Sequence, residues 1–525
     1  MQILPHELKV LFVEAALQAF PTLEQEELLK LTTLEDPKNE AHGDYACPLP
    51  FRLAKKLGLA PQKIGEKILE HFPKDFRVEE VTFAAPGYLN LRLKIRYLEE
   101  LLKELETGFH IKKEEETRHK PVIVEYSSTN AAKPMGVHHI ITTILGDAIA
   151  NLYEFMGWEI VRINHLGDWG TQFGKLIYAV ETWGDKVDIE RHPNQEFMRL
   201  YVKFNEEAEK NPDLDEEARK IFKQLEEGDE LRLAMWQWMV SESIKDLSEQ
   251  FQRLGIHFHH ILGESFYRKG AEEVIQDGVQ KGLFVEGEKG SLIFEMKGGE
   301  TPALIRKSDG TTLYLTRDVA TVKYRTETWH PELILYVVDH AQSLHFQQDF
   351  AVSKALGYAE DTELEHVSFG RMSFKDRSMS SRKGNVIILD DLLDEAVKRA
   401  AHLAADKGTE LPRGELKELA ELVGVSSVKY AVLSQDRNKD IIFDWDKIIT
   451  LEGNSAPYLL YSYARAHSIF NKVGRVELRA LPKLTEEAEI ALMRKMVKFP
   501  DVLESALHER KPHIIATFLY ELCAE

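Results

Sequence analysis

The sequence predicts an α/β protein: a Rossmann-type parallel-sheet domain with a helical insertion, a small α+β domain before it and an all-α domain after it. Three observations carry that expectation. Pro121–Tyr126 (PVIVEY) is β-branched and apolar enough for a strand buried on both faces, and Leu333–Val338 (LILYVV) is a second of the same kind. Ile141, Ile144, Leu145, Ala148, Ile149, Leu152, Tyr153 and Met156 fall on one face of a helix that stops at Gly157, and Trp158–Ile163 reads as the next strand, completing a βαβ unit. From about Asp391 onward strand signals fade and helical periodicity runs to the end.

Taken in order, residues 1–111 alternate helical patterns with short strand candidates such as Tyr88–Leu93, which follows Pro86-Gly87. The charged run Lys112–Arg118 reads as a solvated linker. Residues 118–395 form the parallel-sheet domain, interrupted at about 181–263 by charged amphipathic helix in which Met235, Trp236, Trp238 and Met239 cluster as core. Residues 396–525 are the helical domain. The last residues, Leu519–Glu525, stand in the middle of an apolar helical pattern without a Gly or Pro stop, so further helices are expected beyond this point.

A chain of 525 residues is long enough for several cores. Acidic residues outnumber basic ones 87 to 67, for a net charge of −20. A uniformly basic coat is excluded, and any nucleic acid must be held by local Lys/Arg patches. The two cysteines, Cys47 and Cys523, are far apart, which argues against a disulfide framework or a thiolate zinc site and fits a reducing cytoplasm. No signal-peptide pattern and no bilayer-spanning apolar run is present, so no membrane association is expected. His257, His259 and His260 lack metal-ligand spacing and alternate with Ile256 and Phe258 as a half-exposed strand would, so no metal site is expected.

The polar loop Ser127–His139 follows the first buried strand and opens the helix. In open α/β sheets ligands sit beyond the carboxyl ends of strands and at helix N-termini, where free N–H groups favour phosphate. Around this loop the chain carries Glu125-Tyr126-Ser127-Ser128-Thr129-Asn130 with Ala132-Lys133-Pro134, then His165-Leu166-Gly167-Asp168-Trp169-Gly170-Thr171-Gln172-Phe173-Gly174. Further on come Ser308-Asp309-Gly310, Tyr314-Leu315-Thr316-Arg317-Asp318, Gln342-Ser343-Leu344-His345-Phe346, Met379-Ser380-Ser381-Arg382-Lys383-Gly384-Asn385 and Phe443-Asp444-Trp445 leading into Ala456-Pro457-Tyr458. Upstream lie Gly43-Asp44-Tyr45-Ala46 and Ala85–Asn90. In this order, over nearly the whole chain, these segments resemble arginyl-tRNA synthetase, a class I aminoacyl-tRNA synthetase. Two departures stand out: where the family has His-x-Gly-His the chain has Gly136-Val137-His138-His139, and where class I enzymes have KMSKS it has Ser378-Met379-Ser380-Ser381-Arg382. Lys133 is the position that resembles the compensating lysine of arginyl enzymes.

The resemblance implies ligation of arginine to its cognate tRNA through arginyl-adenylate, using ATP with Mg²⁺, by a monomer whose partners are arginine and tRNA(Arg). Its catalytic cations would be Lys133, His139, Arg382 and Lys383; its arginine contacts Glu125, Asn130, Tyr314, Asp318 and Gln342; its ATP contacts Gly136, His138, His139, Gly167, Asp168, Met379 and Ser380. The chemistry agrees with the residue types. A carboxylate attacking a phosphate needs positioning and cations rather than a protein nucleophile, and a guanidinium is a planar fork of donors that carboxylates match. Tyr458, Tyr461, Tyr463 and Arg465 are of types that stack on RNA bases, although at helical spacing some of them belong to a core. The rival readings are an RNA-binding paralogue with weakened catalysis and a different nucleotidyl transferase on the same fold.

Overall fold

Five strands pair in parallel in the spatial order Glu363–His366, Leu333–Tyr336, Val122–Glu125, Ile160–Asn164, His260–Ile261. Of the two runs read as doubly buried strands, Val122–Glu125 is the middle strand and Leu333–Tyr336 its neighbour. Chain order reverses between them, so the switch point of the sheet lies where Glu125 and Tyr336 stand side by side in register. Crossover helices cover the sheet, among them His138–Met156 and Tyr314–Trp329. The first ends at Gly157 with φ 107°, a left-handed cap in which the glycine N–H closes on the last turn. It begins three residues earlier than its apolar stripe.

The computed structural model of the chain describes residues 4–37, 39, 42–105, 120–133, 135–308, 310, 313–375, 388–408, 411–474 and 480–525. These divide into two compact units. One holds residues 117–460 and 510–516; the other holds 1–116, 461–509 and 517–525. The sequence-read boundary at 396 thus differs from the spatial one: the helices Leu389–Asp406 and Arg413–Leu433 belong with the sheet, while the later helices share a core with the N-terminal residues.

In the second unit a three-stranded antiparallel sheet, Tyr45–Cys47, Tyr88–Leu93 and Val78–Ala84, packs with helices Leu4–Ala19 and Pro61–Glu70. Phe12, Leu49 and Leu91 share its core with Met493 and Val497. Asp44 is buried there, accepting from the Leu93 N–H at 2.6 Å and pairing with Arg494.

The expected insertion is four helices, Lys186–Arg191, Pro193–Lys210, Asp213–Glu227 and Glu230–Leu254. Of the cluster read as core, Met239 is buried but Trp238 is 36% exposed, so the insertion is only partly packed on that face. Two β elements escaped the sequence reading. An antiparallel sheet of Phe284–Glu286, Leu292–Phe294 and Ala303–Arg306 stands before Tyr314, and Ile441–Phe443 pairs in parallel with Met372–Phe374. All are three or four residues long, too short for alternation to register.

Candidate functional site

The loop after Val122–Glu125 is held in an unusual conformation. Ser127, Ser128 and Ala132 have φ of 74°, 42° and 61°, each a strain of about 1–3 kcal/mol that surrounding contacts must over-determine. Those contacts are visible. The Ser127 N–H donates to Thr142 Oγ1 at 3.1 Å, the Thr143 hydroxyl donates to Ser127 Oγ at 2.9 Å, and the Ala132 N–H donates to Ser243 Oγ of the insertion at 2.7 Å. Asn130 forms a parallel bridge with Gly167; the Gly167 N–H donates to Thr129 O at 2.8 Å and the Ala131 N–H to Gly167 O at 3.1 Å. A Cβ at Gly167 would lie 2.6 Å from Asn130 Oδ1, which explains the glycine.

At the switch point Glu125 is 5% exposed, and its Oε2 is 2.5 Å from Nη1 of the fully buried Arg325. That pair supplies the partner a strand-end carboxylate needs. Asp318, on the Tyr314–Trp329 helix, is buried; its Oδ2 lies 2.6 Å from His345 Nε2 and its Oδ1 3.8 Å from His165 Nε2. The Tyr314 ring, 40% exposed, lies over His345 at 4.8 Å. Burial disfavours the His345 imidazolium, yet the hydrogen bond and charge of Asp318 outweigh it and hold His345 above the ordinary histidine range. Burial, reinforced by the Asp318 charge, pushes the fully buried Asp349 up to about 8. Gln342 is half-buried, next to the helix Ser343–Ala355 that carries His345. Thus Glu125 and Asp318 lie close enough for their charges to act on the Tyr314 hydroxyl, the three forming one polar cluster, and Asn130 sits on the loop after Glu125.

On the other side of the switch point, Val137, Ile141, Asp339, Phe369, Arg371, Met372 and Phe374 line a cavity of about 320 Å³. It opens beside the first turn of His138–Met156, whose dipole favours an anion, while the His139 and Ile140 N–H groups donate to Gly136 O at 2.9 Å and Val137 O at 3.0 Å. Gly136 bridges to Ile388, and His139 is half-buried one residue into the helix. Lys133 holds its ammonium 4.4 Å from the Tyr201 ring centre. The carboxylate of Asp168 accepts from the Ser265 N–H at 2.8 Å and the Ser265 hydroxyl at 2.6 Å, and its carbonyl accepts from Trp236 at 2.7 Å. It pins the loop after His260–Ile261 to the sheet. Met379, Ser380, Arg382 and Lys383 lie outside the described residues, as does the side chain of His138.

His260 lies in the edge strand, and the His259 N–H and ring both meet the backbone of Arg162. Tyr461 and Tyr463 are exposed, at 51% and 69%, while Tyr458 is half-buried. Sequence reasoning missed Arg325, His165, His345 and Asp349 as members of the pocket. His165 and His345 lay inside quoted motifs, but nothing in one sequence says that they meet Asp318.

Three family models cover the chain: "tRNA synthetases class I (R), catalytic domain" over residues 101–445, "Arginyl tRNA synthetase N terminal domain" over 6–93, and "DALR anticodon binding domain" over 459–525. The arginine–tRNA ligase of Fusobacterium nucleatum is 38% identical over 99% of this chain and 91% of its own length, and that of Alkaliphilus metalliredigens 38% over 95% and 88%. Among solved structures, the arginyl-tRNA synthetase of Plasmodium falciparum superposes with a TM-score of 0.85 at 27% identity, covering 100% of this chain and 91% of that one. The Thermus thermophilus arginyl-tRNA synthetase shares the fold at a TM-score of 0.82 and 23% identity, over 99% and 90%. With a carboxylate-rich pocket on one side of the sheet's switch point, a helix N-terminus on the other and relatives matching from end to end, the chain belongs to the arginyl-tRNA synthetase family of class I enzymes.

Proposed function

We propose that the chain joins arginine to its cognate tRNA in two steps. The arginine carboxylate attacks the α-phosphate of ATP and expels pyrophosphate; a ribose hydroxyl of the tRNA terminus then attacks the activated carbonyl and AMP leaves. Asp318 carries this reading: a buried carboxylate with Oδ1 free of hydrogen bonds among the described residues, beside a strand end, is what a guanidinium requires. Glu125, Tyr314, Asn130 and Gln342 complete the arginine side. On the nucleotide side Gly136, His138, His139 and Gly167 approach ATP by backbone and ring, and Asp168 fixes the surrounding loop. Lys133 and His139, with Arg382, Lys383, Met379 and Ser380 of the second motif, stabilise the phosphoryl charge.

In this reading Mg²⁺ arrives on the ATP phosphates and takes its ligands mainly from them and from water. Residues 1–111 and the helices after 396 would contact the tRNA, the exposed Tyr461 and Tyr463 being suited to stacking on bases. No helix among the described residues is long and apolar enough to cross a membrane. The reading places the protein in the cytoplasm as a monomer, since one chain carries both the catalytic sheet and the tRNA-contacting helices.

The test is aminoacylation of tRNA(Arg) with labelled arginine. Arginyl-tRNA formation dependent on ATP is expected; tRNA binding without acylation would favour the weakened paralogue, and adenylate transfer to another acceptor the different transferase.

A further inference from the structure

Asp318 stands between two imidazoles. A carboxylate only accepts hydrogen bonds, so at 2.6 Å the His345 Nε2 is the donor, and the distance is that of a charge-assisted bond. His165, 5% exposed, faces the other oxygen at 3.8 Å, and neither of its ring nitrogens has a hydrogen-bond partner.

The charges around this group can be followed element by element. Glu125, ending the Val122–Glu125 strand, is matched by Arg325, and Glu264, from the turn after His260–Ile261, is matched by Arg317 at 3.0 Å. Asp349, one turn along from His345 on the same helix, is fully buried and pushed up to about 8, so burial favours its neutral form. The Tyr336 and Tyr267 hydroxyls, from the neighbouring strand and turn, are raised by burial and stay neutral, as does Tyr314, raised first by the Asp318 charge. Asp318 is therefore the carboxylate whose charge is answered by His345. A guanidinium entering here adds a second cation beside a single carboxylate, a buried charge without compensation.

We propose that His345 is the internal counter-ion of Asp318 in the empty pocket, and that arginine replaces it: the guanidinium pairs with the carboxylate while the proton on His345 Nε2 leaves for solvent. The inference rests on the arginine-pocket reading above. Charge is conserved at the site, with one cation exchanged for another. His345 is a positioning residue: it holds the carboxylate rotated toward the pocket and neutralised until substrate arrives. The sign follows from linkage. His345 is charged in the empty pocket below its raised pKa, so arginine must displace a proton there; apparent affinity rises with pH, by up to tenfold per unit, and levels off above that pKa.

The experiment is calorimetric titration of the full chain with arginine from pH 6 to 9, in buffers of different ionisation enthalpy that report protons released. The native protein is expected to release nearly one proton at the low end and none at the high end. His345→Gln, whose amide still donates to Asp318, should release none, show pH-independent affinity and bind arginine more tightly than the native protein at pH 6, a gain that structural damage does not produce. Arginine binding by the native protein without proton release overturns the proposal, and this arm stands even if the variant does not fold. Release that persists in His345→Gln and disappears in Asp349→Asn assigns the proton to Asp349 and also overturns it. Failure of the pocket reading is a separate result: Asp318→Ala would then keep full arginine affinity.

Discussion

The two sides of the site, which meet at the same strand ends, are built on opposite plans. The amino-acid side is a dense set of buried charged and polar side chains, Glu125, Arg325, Asp318, His345 and Asp349, supplied by one strand and two helices. The nucleotide side is a cavity walled mostly by the apolar Val137, Ile141, Phe369, Met372 and Phe374, with Asp339 and Arg371 as its charged members and a helix N-terminus at its mouth. The difference follows from what each ligand brings. Arginine must be told from other amino acids, and a buried carboxylate oxygen such as Asp318 Oδ1, which only the right substrate pairs, gives discrimination on the order of 10⁴ or more without editing. The helical insertion therefore needs no proofreading role. ATP carries its own charges, so a mostly apolar slot with a helix N-terminus and a few cations is enough.

The sharpest way to break this comparison is Asp318→Ala. It leaves a buried guanidinium without its carboxylate, and such truncations run about 2–5 kcal/mol. We expect kcat/KM for arginine to fall by that amount while KM for ATP stays near native, both read from steady-state aminoacylation. Equal losses for the two substrates would mean that the two sides are not separate devices.

Lys133→Ala probes the other side. Lys133 is held over the Tyr201 ring at the edge of the insertion, and losing a preorganised cation near the phosphates should lower kcat by roughly 10²-fold with little change in tRNA affinity. A silent Lys133→Ala alongside a crippled Lys383→Ala would move the compensating cation to Lys383.

The same contrast governs what could be read from the sequence. The inner strands, the helix ending at Gly157 and the strand-end carboxylate of Glu125 were legible because each is signalled locally, by β-branched runs, by a 3.6-residue stripe, or by a polar residue where an apolar strand stops, whereas Tyr314 and Asp318 were named only through the family resemblance. Arg325 was not legible, since a guanidinium two turns past Asp318 on a helix looks solvent-paired until the fold turns that face onto Glu125. Nor was the pairing of His345 with Asp318, which depends on how two helices pack. The bond that holds the Asp168 carboxylate was not legible either. Its partner, Ser265, is 97 residues away, beyond any local signal.

Gly167 joins the two sides, and its replacement carries the smallest expected effect. Its N–H and carbonyl bond the backbone on either side of Asn130, so the backbone cannot retreat, and an alanine methyl would lie 2.6 Å from Asn130 Oδ1. The obstacle is the end of a side chain, which can rotate away, so overpacking of about 1–3 kcal/mol is the expected range. That corresponds to a fall in Tm of several degrees. Rotation takes Asn130 off the arginine side, and Gly167→Ala should therefore raise KM for arginine more than KM for ATP. Adding Asn130→Ala removes the clash and should restore stability without restoring the arginine KM, a coupling that a double-mutant cycle measures directly. If instead the ATP KM rises and the arginine KM holds, Gly167 serves the nucleotide through its own backbone, and the boundary between the two sides runs through Asn130 rather than beyond it.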